Sequence, residues 1–484
     1  MTDVAFLPAK RLAGMIRRGK IGCLELLDHY LARVEKYNPG LNAIVVTDIA
    51  KARKRAKAAD KALAKGEVWG PLHGVPMTVK DSFNVKGLPT TWGVPAFKDN
   101  IARSNALAVD RWLSAGAVIF GKTNVPIRLA DAQSFNDIYG TTNNPWNLAL
   151  TPGGSSGGAA AALAAGLTGI EMGSDIASSI RNPAALCGVF GHKPTSGICP
   201  PRGHAPNDDD VSALDILCIG PLGRSAEDIA LGLAIMAGPD EIEARGTRFS
   251  LPPPRKKRLS EFKVGIIVDH PFAPVEHDMA ERLQKLADFL AGQKTKVSDT
   301  ARPEIGFDDA GRTFDLLLRC ATSAALSDGQ QVQYREALRA LPADADTKQA
   351  RMLRGNTMSH RDWLRLNETR HRMRWKWHEF FREYDLLLTP VICTAAYAHD
   401  ATPPYQRVLT INGEKREFHS LLFWAGYTGM AYLPGTVSPI GLTRDGRPVG
   451  VQIVGPEFGD RNCLHFAHLL EKEFQGFVPP PGYE

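Results

Sequence analysis

No two of the seven cysteines in this 484-residue chain (Cys23, Cys187, Cys199, Cys218, Cys320, Cys393 and Cys463) form a CxxC pair, and none stands beside paired histidines. The number is odd and the spacing scattered, which argues against both a disulfide framework and a zinc site, so neither a metal nor a cofactor is expected. Long apolar runs are missing too. The N-terminal stretch MTDVAFLPAKRLAGMIRRGK lacks an apolar core of signal-peptide length, and the longest apolar run, Ala159 to Ile170, contains glycines and falls short of a membrane span. The expectation is a soluble, cytoplasmic protein without a membrane partner. Charge of one sign is not gathered on one face: the net +6 comes largely from Lys51 to Lys65 and from Arg255 to Arg258. In KARKRAKAADKALAK the alanines recur at helical spacing, which reads as a solvated helix face, and no nucleic-acid motif accompanies it.

What is present is an ordinary globular balance, 44% hydrophobic and 23% charged, which leaves no compositional case for disorder or a fibre. Leu12, Met15, Ile16, Leu24, Leu27, Leu31 and Val34 recur at steps of three and four, predicting a helix from about Pro8 to Tyr37 that Asn38-Pro39-Gly40 stops. A second helix is expected from about Asp48 to Ala64. The period then changes at Gly74-Val75-Pro76-Met77-Thr78-Val79-Lys80, a short β-branched run that places Lys80 at the end of a strand. Helix and strand alternate again at Asn105 to Phe120 and at Ala226 to Val268, which argues for an α/β layered fold. A proline-rich, basic connection covers about 239–263. The segment from about 303 to 381 reads as wholly helical, with Trp363, Leu366, Met373, Trp377 and Phe380 as an apolar stripe expected to face a core or line a groove. Strands return at Leu386 to Val391 and Pro448 to Val454, before a closing helix from about Arg461 to Phe474.

Two clusters of small residues carry the chemistry. Thr151-Pro-Gly-Gly-Ser-Ser-Gly-Gly precedes an alanine-rich helix, so its backbone can approach a ligand closely at a helix N-terminus. No GK[ST] follows, which removes a phosphate loop. Gly153-Gly154-Ser155-Ser156-Gly157 also matches the GxSxG elbow of α/β-hydrolases, an esterase reading with Ser155 as nucleophile, but Pro152 opposes the strand that elbow needs. The second cluster, Gly173-Ser-Asp-Ile-Ala-Ser-Ser-Ile-Arg-Asn-Pro, again surrounds a serine with small residues, whose exposed N–H groups can hold a developing oxyanion.

Taken together, GVPMTVKD, GGSSGG and GSDIASSIRNPAALCGVFGHKPT, in this order and spacing, resemble the amidase signature family, strongly over about 72–195. Weaker support comes from Gly121-Lys-Thr-Asn, Thr142-Asn-Asn-Pro-Trp-Asn, Leu387-Leu-Leu-Thr-Pro and Gly446-Arg-Pro-Val-Gly-Val-Gln-Ile-Val-Gly. The resemblance implies one large α/β domain over 1–484, with a mixed central β-sheet covered by helices on both faces and an additional helical segment in the C-terminal half. It implies an amidohydrolase in which Lys80 is the base, Ser155 a relay held by a cis peptide bond, and Ser179 the acylated nucleophile. Backbone N–H groups of Ile176, Ala177, Ser178 and Ser179 would form the oxyanion hole, with Ser156, Asp175 and Arg181 supporting the loops. Pro76, Cys187, Gly188 and Lys193 also match, in packing roles.

Those residue types suit the reaction. A serine hydroxyl attacks only when a base takes its proton, a lysine is a base only when neutral, and an intervening hydroxyl can both accept and donate a proton. The chain departs from the family at Ala177 and Ser178, where two glycines are usual, and at Ile127-Arg128-Leu129, where Glu-Phe-Gly is common. The first change puts substrate size in question more than catalysis. His192 stands where a large apolar residue is usual and reads as a satisfied core or rim histidine. Pocket walls are expected from 127–136, 200–210 and 307–381, hinting at an apolar or aryl acyl amide. A small-molecule amide is the expected partner, with a second copy of the chain left open. The rival readings are a binding protein that has lost turnover and a glutamine-dependent amidotransferase subunit.

Overall fold

The computed structural model describes residues 3–207 and 210–484. The first expected helix is two, α1 (Ala9–Arg17) and α2 (Cys23–Leu41), because the chain turns at Gly19 and re-enters a helix after Gly22. The helix also outruns its predicted stop. Pro39 sits in the last turn, the Asn38 side chain accepts the N–H groups of Ala43 and Ile44 at 2.9 Å each, and Asn42 ends the helix in a left-handed conformation. Strand β1 (Ile44–Thr47) follows, then α3 (Ile49–Ala64), capped by Asp48. Ala52, Ala56, Ala59 and Ala62 face the core, so the basic residues between them form the solvated face that the spacing predicts.

Strands β2 (Pro76–Lys80) and β3 (Val118–Thr123) are separated by helix α4 (Leu107–Ser114) and complete a three-stranded sheet in the order β1-β3-β2. β2 is buried at all five positions, as expected for a continuous apolar run packed on both faces. Helix α5 (Gly157–Ala164) leads to β4 (Glu171–Asp175), α6 (Arg181–Cys187), β5 (Phe190–Lys193), β6 (Cys218–Gly223) and α7 (Ala226–Met236). Then come β7 (Lys263–Ile266), α8 (His277–Gly292), β8 (Lys296–Ser298) and four helices: α9 (Phe307–Thr322), α10 (Asp328–Arg339), α11 (Lys348–Asn356) and α12 (His360–Glu383). The segment read as wholly helical is thus helical with three interruptions. Of its stripe, Met373, Trp377 and Phe380 are buried, while Trp363 and Leu366 are half-buried. Strands β9 (Leu386–Pro390), β10 (Gly435–Leu442) and β11 (Pro448–Val454), with α13 (Phe423–Gly429) and α14 (Asp460–Glu473), finish the chain.

The main sheet has eight strands in the order β8-β7-β9-β11-β10-β5-β6-β4. It is mixed: β7 runs parallel to β8 and β9, and every other pairing is antiparallel. Helices cover both faces. The edge strand β4 lies beside β2, the edge of the small sheet. Hydrogen bonds from the Gly169 N–H to the Pro76 carbonyl (3.1 Å) and from the Thr78 N–H to the Thr168 hydroxyl (3.1 Å) tie the segment just before β4 to β2.

Candidate active site

Lys80 closes β2 with its backbone registered opposite Thr123, and its side chain crosses the seam between the sheets. Its Nζ lies 2.7 Å from Ser155 Oγ, 3.0 Å from Ser174 Oγ and 3.4 Å from the Ser174 carbonyl oxygen. Asp81, next in sequence, is paired with Lys122 at 2.7 Å, and Asp175 with Arg181 at 2.8 Å; all four side chains are fully buried. Burial therefore governs Lys80, against an opposing pull from Asp175, and pushes its pKa down to about 7. The Asp175 carboxyl, which burial alone would raise, is held below its ordinary value by the Arg181 guanidinium.

Ser155 comes from the loop before α5. The Gly154–Ser155 peptide bond is cis. Gly154 is there because nothing larger fits: a Cβ would stand 2.4 Å from the Gln133 carbonyl oxygen and 2.5 Å from that of Asp131. Ser134 pins the same loop, its hydroxyl donating to the Gly153 carbonyl (3.0 Å) and accepting the Gly157 N–H (3.1 Å). Ser156 donates its N–H to the Ser179 carbonyl at 3.1 Å, which binds the two serine loops together.

Ser179 lies between β4 and α6. The Asp175 carboxylate accepts the N–H groups of Ile180 (3.1 Å) and Arg181 (3.3 Å) besides the Arg181 side chain, folding the loop tightly over itself. Arg181 Nη1 also donates to the Ala425 carbonyl and to Gln452 Oε1, each at 2.7 Å, so α13 and β11 hold the loop from behind. Among the described residues no protein acceptor takes the N–H groups of Ile176, Ala177, Ser178 or Ser179. Ser179 is 8% exposed against 1% for Ser155 and none for Lys80, so of the three it is the most open to solvent.

The structure thus brings together Lys80, Ser155, Ser156, Asp175, Ser179, Arg181 and the N–H groups of 176–179. Sequence reasoning missed Ser174, the second hydroxyl on Lys80, and Gln452 behind Arg181. Ser174 lay in plain view within GSDIASS; what was missing was knowledge that the edges of two sheets meet there. The GxSxG elbow lacks its strand, since the nearest preceding one is the two-residue Gly140–Thr141. His192 is buried, its Nδ1 2.8 Å from the Thr436 hydroxyl and its Nε2 3.1 Å from Asp460, which is the satisfied core histidine expected. Of the expected walls, 127–136 packs against Gly154. The 307–381 region reaches the site through α13, where Phe314 lies against Gly426. Residues 208–209 of the 200–210 wall lie outside the described residues.

A family model described as Amidase matches residues 25–464. The chain belongs to the amidase family and is a hydrolase acting on carbon–nitrogen bonds. It is 32% identical to an indoleacetamide hydrolase of Bradyrhizobium diazoefficiens, over 95% of this chain and 85% of that one. It is 33% identical to an acylamidase of Rhodococcus erythropolis, over 97% and 96%. One of the subunits of the glutamyl-tRNA(Gln) amidotransferase of Roseiflexus castenholzii matches at 30%, over 98% and 96%. Among solved structures, a bacterial aryl acylamidase of the amidase signature family superposes with a TM-score of 0.83 at 24% identity, over 99% of each chain, and supports the fold.

Proposed function

We propose that this amidase cleaves a small carboxylic amide through an acyl-enzyme on Ser179. The observation that carries the reading is Lys80, buried without a counter-ion of its own and hydrogen-bonded to Ser155 Oγ. Neutral Lys80 takes the Ser155 proton as Ser155 takes that of Ser179, and Ser179 Oγ attacks the amide carbonyl. The N–H groups of 176–179 receive the oxyanion, where preorganised donors lower the barrier most. When the tetrahedral intermediate collapses, the proton returns from Lys80 through Ser155 to the departing amine. Water then attacks the acyl ester by the same path. The named hydrolase relatives and the aromatic and aliphatic residues of the expected pocket walls support an aryl or apolar acyl amide as substrate, and the side chains of Ala177 and Ser178 bear on its size.

An amide nitrogen leaves only when protonated, whereas a phenolate leaves unaided, so proton return matters more for the amide. Lys80→Ala is expected to slow amide hydrolysis by about 10²–10⁴-fold and to slow a matched aryl ester less. Equal losses on both, with acylation limiting each, would reduce Lys80 to a holder of Ser155. The match to an amidotransferase component supports a second reading, ammonia release from glutamine on behalf of a partner; glutaminase activity with a co-purifying partner protein would favour it.

A further inference from the structure

His204 is 6% exposed, and among the described residues neither of its ring nitrogens has a hydrogen-bond partner. That is costly, because a buried imidazole always carries one donor and one acceptor, each losing free energy while unpaired. The ring is also held firmly. Gly203, with φ +81°, presses its backbone on Ala106, where a Cβ would stand 2.5 Å from Ala106 Cα. The Gly203 carbonyl accepts the Asn84 N–H at 2.9 Å, and the Arg202 carbonyl accepts the Leu107 N–H at 3.1 Å. Phe83 meets the imidazole edge-on at 4.9 Å between centroids and Trp92 lies tilted at 5.3 Å. Both aromatics belong to the turns that follow Lys80, and Trp92, half-buried, is anchored by its Nε1 donating to the Ser82 carbonyl at 3.2 Å. Burial, with the Lys80 charge adding to it and a weaker pull from the residue's own backbone opposing it, pushes the His204 pKa down to about 3, so the ring is neutral at working pH.

An immobilised, unpaired imidazole set against two aromatics of the turns that follow the candidate catalytic lysine has the form of a binding group waiting for its partner. We propose that His204 is a substrate-binding residue that hydrogen-bonds a neutral polar atom carried on the aromatic body of the amide, with Phe83 and Trp92 framing it. The proposal rests on the amidase reading of the neighbouring site and adds its substrate class: aryl amides bearing a ring N–H or hydroxyl.

The test uses the full-length enzyme and three matched pairs: indole-3-acetamide against benzothiophene-3-acetamide, 4-hydroxyphenylacetamide against phenylacetamide, and 4-hydroxyacetanilide against acetanilide. The wild type is expected to prefer the polar member of at least one pair by about ten-fold in kcat/KM, chiefly through KM. His204→Leu should bring that ratio to about one, and His204→Gln, which keeps a donor and an acceptor, should retain part of it. His204→Leu should melt no lower than the wild type, since it removes two unpaired polar atoms; if it does not fold, the Gln variant carries the comparison. The proposal is overturned if the wild type shows no polar preference in any pair, or hydrolyses none of the six. It is overturned equally if the preference survives in His204→Leu, or if both members lose equally while the melting temperature falls. These ratios are read whichever serine is acylated, so their failure leaves the Ser179 assignment to be judged by its own experiment.

Discussion

Asp175 is the carboxylate whose charge acts on Lys80, and it is committed to Arg181, while Asp81, next in sequence, is paired with Lys122. Burial then has no full opponent, and a lysine that would be protonated in water is divided between its two forms near neutrality. For a base the sign is fixed: the active neutral form exists above the folded-state pKa. The kcat/KM of the wild type should therefore rise with pH through about 7 and level above it, and Lys80→Ala should lose this limb on an ester substrate. A profile flat from pH 5 to 9 with acylation limiting would contradict it. Lys80, Ser155 and Ser179 were legible in the sequence because three motifs fall in order with small residues around each serine. Ser174 and His204 were not, since a lone serine or histidine acquires a role only from what the fold sets beside it.

At the scale of elements, the loop joining β4 to α6 depends on Arg181, which reaches from Asp175 to α13 and β11. Removing the guanidinium leaves a fully buried carboxylate unpaired, so Arg181→Met should destabilise the protein by about 3–5 kcal/mol, measured by urea unfolding. If enough folded enzyme survives, Asp175 becomes the counter-ion of Lys80 and the alkaline limb should move to higher pH; an unmoved limb would mean that Arg181 does not set the Lys80 proton affinity. The stripe on α12 makes a plainer case. Trp377, fully buried and stacked on Phe381, should cost about 3–5 kcal/mol on replacement by Ala, with little effect on the pH profile. Periodicity recovered α3, β2, α7 and β11 nearly to the residue because each has an unbroken burial pattern. It joined α1 to α2 because apolar spacing alone does not register a turn at Gly19, and it ran α9 to α12 together for the same reason.

For the molecule as a whole, alternation of helix and strand announced a layered α/β fold, but strand order was beyond the sequence: β4 and β2 belong to different sheets, and only their meeting edges bring Lys80 to the serines. No helix among the described residues is long and apolar enough to cross a membrane. Nor do three His, Cys, Asp or Glu side chains among them converge to hold a metal ion, and every step of the proposed mechanism uses a lysine, two hydroxyls and backbone N–H groups. Activity should accordingly survive prolonged EDTA dialysis; loss that zinc restores would overturn this. The central claim is that Ser179 forms the covalent bond while Ser155 carries the proton. Treating the enzyme with a fluorophosphonate and locating the adduct by peptide mass spectrometry tests it most directly. The account predicts a single adduct on Ser179, absent in Ser179→Ala; an adduct on Ser155 would contradict it.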